Sequence, residues 1–119
     1  MKLRIYGNNI RLRLSQTEVE NFSKNGSCTN QITFPNGQTL TYKLAEGTDH
    51  LVSFANNVMT VVLCEEEVEV WSSTNQVGIK AEVPSENGTI GLLVEKDFQC
   101  LTNREEDQSD LYPNPKEAQ

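Results

Sequence analysis

Lys2-Leu3-Arg4-Ile5-Tyr6-Gly7-Asn8-Asn9-Ile10-Arg11-Leu12-Arg13-Leu14 is the stretch whose reading decides the fold. Leu3 and Ile5 alternate with Lys2, Arg4 and Tyr6; past the glycine and asparagines, Ile10, Leu12 and Leu14 alternate with Arg11 and Arg13. Alternation with period two is the mark of a half-buried strand, so the stretch reads as a β-hairpin with one apolar and one basic face. A two-residue turn at Asn8-Asn9 pairs Ile5 with Leu12 and Leu3 with Leu14. The same register sets Arg4 opposite Arg13 and Tyr6 beside Arg11. Like charges directly opposed weaken a strand pair unless something negative lies over them, so this face calls for an acid or an anion.

Working outward, Ser15-Gln16-Thr17-Glu18 supplies a helix start. Ser15 can accept from the amide of Glu18, the Glu18 carboxylate can accept from the amide of Ser15, and Leu14 and Val19 form a hydrophobic staple. Val19 and Phe22 mark the buried side, and Asn25-Gly26 ends the helix. A second hairpin follows at Pro35-Asn36-Gly37, where a type I turn with a glycine bulge pairs Ile32 with Leu40 and leaves Tyr42 and Leu44 on the same face. A third turns at Asn56-Asn57, pairing Phe54 with Met59 and Val52 with Val61, with His50 near Leu63. Residues 65–73 fit a strand or a short helix with glutamates at its positive end, and the helix is preferred. Val77-Ile79-Ala81-Val83 and Ile90-Leu92-Val94, joined through Pro84-Ser85-Glu86-Asn87-Gly88, complete the strands. Six to eight short strands with turn signals between them predict a mainly β (α+β) fold. The expected form is a small antiparallel barrel or sandwich with one capped N-terminal helix and a second short helix.

The chain has 119 residues, the size of one domain. No run approaches the roughly 18 apolar residues of a membrane span, and the N-terminus turns polar too soon for a secretory signal, so a cytoplasmic protein with no membrane partner is expected. Cys28, Cys64 and Cys100 form no Cys-x-x-Cys pair and fit a reducing compartment. Their even spacing suggests a repeat, but the flanking sequences do not match. The asparagines of Asn25-Gly26-Ser27 and Asn87-Gly88-Thr89 read as turns rather than glycosylation sites.

Seventeen acids against ten bases give a net charge of −7, which makes the protein a poor general binder of nucleic acid. The average conceals an asymmetry: Lys2, Arg4, Arg11 and Arg13 crowd the start, whereas Glu105, Glu106, Asp107 and Asp110 crowd the end. Residues 1–101 are expected to form a single antiparallel β domain. Residues 102–119 form a polar acidic tail, expected to dock through the apolar, stiffened anchor Leu111–Pro115.

Arg4, Arg11 and Arg13, with Lys96, are candidates for binding an anion, because planar guanidinium donors suit phosphate and carboxylate. The plainer reading pairs these arginines with acids of the same chain, Glu82 and Glu95 on neighbouring strands or the 105–110 cluster. Glu95 and Asp97, with Tyr112 and Pro113, are candidate interaction residues. Glu95-Lys96-Asp97 with Cys100 could edge an active site, but nothing brings the lone histidine, His50, to Cys100. A charged strand end with Phe98 and Cys100 turned inward is the simpler reading. No catalytic residue is assigned, and no metal or other cofactor is expected: His50 and the cysteines lack ligand spacing. Trp71 reads as core.

The segments Met1–Leu14, Glu95–Leu101 and Tyr112–Pro115, with Val77-Gly78-Ile79 between them, resemble a family of short bacterial proteins of unknown function. The resemblance spans most of the chain and carries no activity, cofactor or catalytic residue. It implies that the basic hairpin, the charged strand end and the Pro-Asn-Pro anchor belong together, which supports the expectation that they meet in space.

Three roles follow as expectations. The first is a non-catalytic binding or protein-interaction domain with the tail across the N-terminal hairpin. The second is an enzyme or carrier for a phosphate or carboxylate compound in a small barrel, loosely similar in its basic strands to triphosphate-tunnel enzymes but without their acidic metal-binding repeat. The third is a subunit of a larger assembly, in which an uncovered edge strand pairs with a partner or self-associates.

Overall fold

The computed structural model describes residues 1–97. The expectations placed on Phe98, Cys100, the 105–110 acids, Tyr112 and Pro113 lie outside the described residues. The elements run β1 (Lys2–Tyr6), β2 (Asn9–Leu14), α1 (Gln16–Asn25), β3 (Ser27–Thr33), β4 (Thr39–Gly47), β5 (Leu51–Ala55), β6 (Val58–Cys64), α2 (Glu65–Ser73), β7 (Gly78–Ser85) and β8 (Gly88–Lys96). The strands form two open four-stranded sheets, ordered β1-β2-β8-β7 and β3-β4-β6-β5. The fold is β-rich α+β, as expected.

The sheets are mixed rather than antiparallel throughout, and neither closes into a barrel. Within each sheet two hairpins lie side by side through a central parallel pair, β2 with β8 and β4 with β6. Parallel neighbours require a crossover. Here α1 carries the chain from the first sheet to the second, and α2 carries it back.

Three of the four hairpins follow from turn chemistry. Asn56 and Asn57 both take positive φ, as a type I′ turn demands, and Phe54 pairs with Met59 and Val52 with Val61 as expected. Gly37 takes φ 87°, and Ile32 faces Leu40 as expected. Glu86-Asn87 turns β7 into β8. The first hairpin departs from expectation by two residues: Ile5 faces Ile10, Leu3 faces Leu12, Arg4 faces Arg11, Lys2 faces Arg13 and Tyr6 faces Asn9. The turn is Gly7-Asn8, because Gly7 is the residue that takes positive φ without strain (57°) and so supplies the first central position. A shift of two keeps each side chain on its expected face.

α1 carries the expected capping box: the Glu18 amide donates to Ser15 Oγ at 3.3 Å and the Ser15 amide to Glu18 Oε1 at 2.8 Å. Gly26 ends the helix in the left-handed conformation. Residues 65–73 are helical, with Val68 and Trp71 inward. The Trp71 indole is fully buried and donates to the Val77 carbonyl at 3.0 Å, which satisfies its only polar atom. Val19, Phe22, Val68 and Trp71 join the inner faces of both sheets in one core, Leu12, Leu14, Ile79, Leu92 and Val94 from the first and Leu44, Val61 and Leu63 from the second.

The two halves of the chain repeat one another. A shift of 49 positions carries Leu14 to Leu63, Val19 to Val68 and Phe22 to Trp71, all buried, and carries β1-β2-α1 onto β5-β6-α2. β3 then corresponds to β7 at a shift of 51 and β4 to β8 at a shift of 50, and the correspondence exchanges the sheets. Backbone hydrogen bonds obey it: Thr41 N donates to Asn57 O as Gly91 N donates to Asn8 O, both at 2.9 Å, and Glu46 N–Gly26 O corresponds to Lys96 N–Val77 O. The helix starts correspond as well. The Met1 amine pairs with Glu18, and His50, at the matching position, bonds Glu67 through Nε2 at 2.7 Å and accepts from the Cys64 amide through Nδ1. The repeat suggested by the cysteine spacing does not exist; this one has another period.

Candidate functional site

Alternation along the first sheet puts its apolar residues on the core and leaves an outer face of Lys2, Arg4 and Tyr6 on β1, Asn9, Arg11 and Arg13 on β2, Leu93 and Glu95 on β8, and Lys80 and Glu82 on β7. Lys2 opposite Arg13 and Arg4 opposite Arg11 make a two-by-two cationic array. Cross-strand neighbours lie roughly 5 Å apart at Cβ, and alternate residues of a strand roughly 7 Å apart. Lys2, Leu3, Arg4, Arg11 and Arg13 line an open depression of about 410 Å³.

Glu95 makes the array tolerable. The parallel pairing of β2 with β8 sets it beside Arg13. Its Oε1 accepts from Arg11 Nε at 2.7 Å and lies 2.5 Å from Arg11 Nη2 and 3.2 Å from Arg13 Nε. It is the one buried charged residue among those described, 9 % exposed, and its burial is compensated by these two cations. Gly78 faces Glu95 across β7 and β8; a Cβ there would lie 2.8 Å from the Val94 carbonyl oxygen and 2.9 Å from Glu95 Cβ. The missing side chain leaves the room that Glu95 occupies.

One donor is left over. Arg13 Nε is buried and makes no hydrogen bond of acceptable geometry among the described residues, although buried polar groups are nearly always bonded. Asp97 adds a second acid, its Oδ2 2.7 Å from Lys2 Nζ. The hydrogen bond from Lys2 holds the Asp97 carboxyl below its ordinary 3.8 against the opposing effect of burial, and the charges of Lys2, Arg13 and the Met1 amine assist. Arg4 has no acid partner among the described residues; with Lys80 and Glu82 counted, five cations share this face with three acids, and it is net positive in an acidic chain.

The expected candidates therefore divide. Arg4, Arg11 and Arg13 share one face, and Glu95 pairs with two of them; Glu82 lies on the same face without an ion pair among the described residues. Lys96 does not join them. One residue beyond Glu95, it falls on the opposite face, and its Nζ donates to the Thr74 carbonyl at 2.7 Å, a favourable place for a cation at the C-terminal end of α2. Lys2 and Gly78 were not singled out as site residues. Lys2 was legible from the alternation, whereas the role of Gly78 depends on its antiparallel pairing with β8.

Another concavity among the described residues has the opposite sign. Ser23, Glu46, Glu65, Glu66 and Glu69 line a space of about 370 Å³, and burial, then the charge of Glu65, raises the Glu46 carboxyl above its ordinary 4.5. Burial, then Glu18, raises the Cys28 thiol, and Cys28 and Cys64 are both free. Among the described residues no three of His, Cys, Asp and Glu gather as a metal site, and no helix is long and apolar enough to cross a membrane.

A model of a family of unknown function, DUF7009, matches residues 1–116. The chain belongs to that family. The DUF7009 match takes in both halves of the repeat, the basic face and Glu95 together. No curated protein and no solved structure matches the chain.

Proposed function

We propose that this domain is a non-catalytic binding module whose outer basic face receives an acidic polypeptide segment in extended conformation. The observation that carries the reading is the two-by-two array of Lys2, Arg4, Arg11 and Arg13 around an open depression, net positive on a chain of charge −7. An extended segment presents alternate side chains roughly 7 Å apart, which is the spacing of Lys2 from Arg4 and of Arg11 from Arg13. A row of carboxylates laid along the hairpin would meet a cation at each step, with guanidinium geometry suited to each.

The first candidate occupant is the chain's own segment 102–119, acidic at Glu105, Glu106, Asp107 and Asp110, with Leu111–Pro115 as its anchor. A partner with a similar acidic segment would compete with it. Removal of residues 102–119 is expected to lower the melting temperature and to raise the affinity for a Glu/Asp-rich peptide. Arg4→Ala together with Arg11→Ala is expected to abolish that affinity. A truncated protein with unchanged melting temperature and unchanged peptide affinity would refute the proposal.

The unbonded Arg13 Nε favours one second reading, a carrier or enzyme for a small phosphate or carboxylate compound held in the same depression. Inorganic pyrophosphate binding more tightly than the acidic peptide, and losing that binding in Arg13→Ala, would move this reading ahead.

A further inference from the structure

Edge strands invite pairing with other chains, and proteins guard them with charges, prolines or covering elements. The two sheets present four edges: β1 and β7 in the first, β3 and β5 in the second. β1 carries Lys2 and Arg4, and β7 carries Lys80, Glu82 and Pro84. β3 also lacks charge and proline and exposes Ile32 (50 %), but its other outward side chains are hydroxyls and amides and α1 packs against it. β5, Leu51-Val52-Ser53-Phe54-Ala55, has no charge and no proline, and it exposes Leu51 (54 %) and Phe54 (65 %).

The repeat sharpens the contrast. β5 is the counterpart of β1, and the shift of 49 that superposes them places Leu51 where β1 has Lys2 and Ser53 where it has Arg4. The same position in the same fold is guarded in one half and bare in the other. No described element covers the free edge of β5.

The geometry points to a second copy of this chain as the partner of β5, pairing antiparallel about Ser53 to join the two second sheets into one of eight strands. The register is self-complementary. In a two-residue hairpin the residues flanking the turn exchange both hydrogen bonds and the bonding alternates from there. Ala55, Ser53 and Leu51 thus turn their peptide groups toward β6, while Val52 and Phe54 turn theirs to the free edge. An antiparallel pair centred on Ser53 sets Val52 opposite Phe54 of the second copy, where their outward N–H and C=O groups meet. It also sets Leu51 opposite Ala55, so apolar side chains oppose apolar side chains on both faces, a favourable cross-strand arrangement. The pairing makes no use of the basic face and is independent of its role.

The test is native mass spectrometry and sedimentation equilibrium on the full chain and on Ser53→Arg, which writes into β5 the residue that guards β1. The unaltered chain is expected at twice its 13.4 kDa mass. Ser53→Arg is expected to dimerise at least about tenfold more weakly, because two guanidiniums would oppose each other across the axis. Ser53→Thr is expected to remain dimeric. Should Ser53→Arg lose its native circular dichroism, Ala55→Lys, on the same outer face, serves in its place. A chain that stays monomeric at about 100 μM, or a dimer that survives the charged variants, overturns the inference. So does a dimer that dissociates as salt is raised, which is the behaviour of arginines meeting acids of another copy.

Discussion

Replacing Glu95 with glutamine should move stability and binding in opposite directions. Glu95 Oε1 holds Arg11 Nε at 2.7 Å and Arg13 Nε at 3.2 Å, and the substitution keeps an oxygen there while removing the charge. Removing one partner of a fully buried ion pair costs about 3–5 kcal/mol. Both arginine side chains are 35 % exposed, so solvent screens much of that, and a loss of about 1–2 kcal/mol is expected. For a domain of this size that corresponds to a fall in melting temperature of roughly 4–12 °C. The basic face meanwhile loses its internal competitor. A carboxylate arriving close to Arg11 would gain about 0.5–1 kcal/mol, or roughly two- to fivefold in affinity for an acidic peptide. Thermal unfolding by circular dichroism and isothermal titration of the peptide measure the two effects on one preparation. An unchanged melting temperature would show that Glu95 does not hold the arginines. Loss of stability together with loss of affinity would show that the face is a structural ion-pair network and not a binding surface.

Gly78→Ala should cost about 2–3 kcal/mol, because its Cβ would strike backbone at 2.8 Å. Gly91→Ala should cost less, because the atom it meets, Asn9 Oδ1, belongs to a side chain that can rotate away; chemical denaturation ranks the two. The Asp97 carboxyl should titrate below 3.8 by NMR and move back toward that value in Lys2→Ala. Its small contribution to stability is present above about pH 3.8 and is lost as the pH falls through the lowered value. Glu46 has the opposite sign: a carboxyl raised above 4.5 binds its proton more tightly in the folded state, so its penalty is present at neutral pH and is relieved as the pH falls through the raised value. Glu46→Gln should therefore raise the melting temperature at pH 7 by about 1–2 °C and by less at pH 4.

How much of this was legible in the sequence depends on how local the cause is. The Asn56-Asn57 and Pro35-Asn36-Gly37 hairpins follow from turn chemistry, and their registers come out as expected. The first hairpin offered two adjacent turns, Gly7-Asn8 and Asn8-Asn9, and the positive φ at Gly7 decides between them. The parallel pairs β2-β8 and β4-β6 join strands far apart in the chain, and no local pattern announces them. The antiparallel expectation failed there. The repeat was within reach: Asn8 and Asn57, Leu14 and Leu63, Glu18 and Glu67, and Val19 and Val68 are identical pairs at one spacing. The even spacing of Cys28, Cys64 and Cys100 has a different period and masks it. Of the site, alternation puts Arg4, Arg11 and Arg13 on one face and names Glu95 as a possible partner. That Glu95 neighbours Arg13 depends on the β2-β8 pairing, and that Gly78 leaves it room depends on the β7-β8 register; that Lys96 turns the other way follows from alternation along β8.

The claim that the outer face of β1 and β2 binds an acidic segment is tested most directly by a residue-resolved NMR titration of the full chain with a Glu/Asp-rich peptide. The account predicts shifts concentrated at Lys2, Arg4, Arg11 and Arg13, weakening as salt is raised, with the resonances of residues 105–110 moving as the chain's own acidic segment is displaced. Shifts confined to the second sheet, or none at peptide excess, would contradict it.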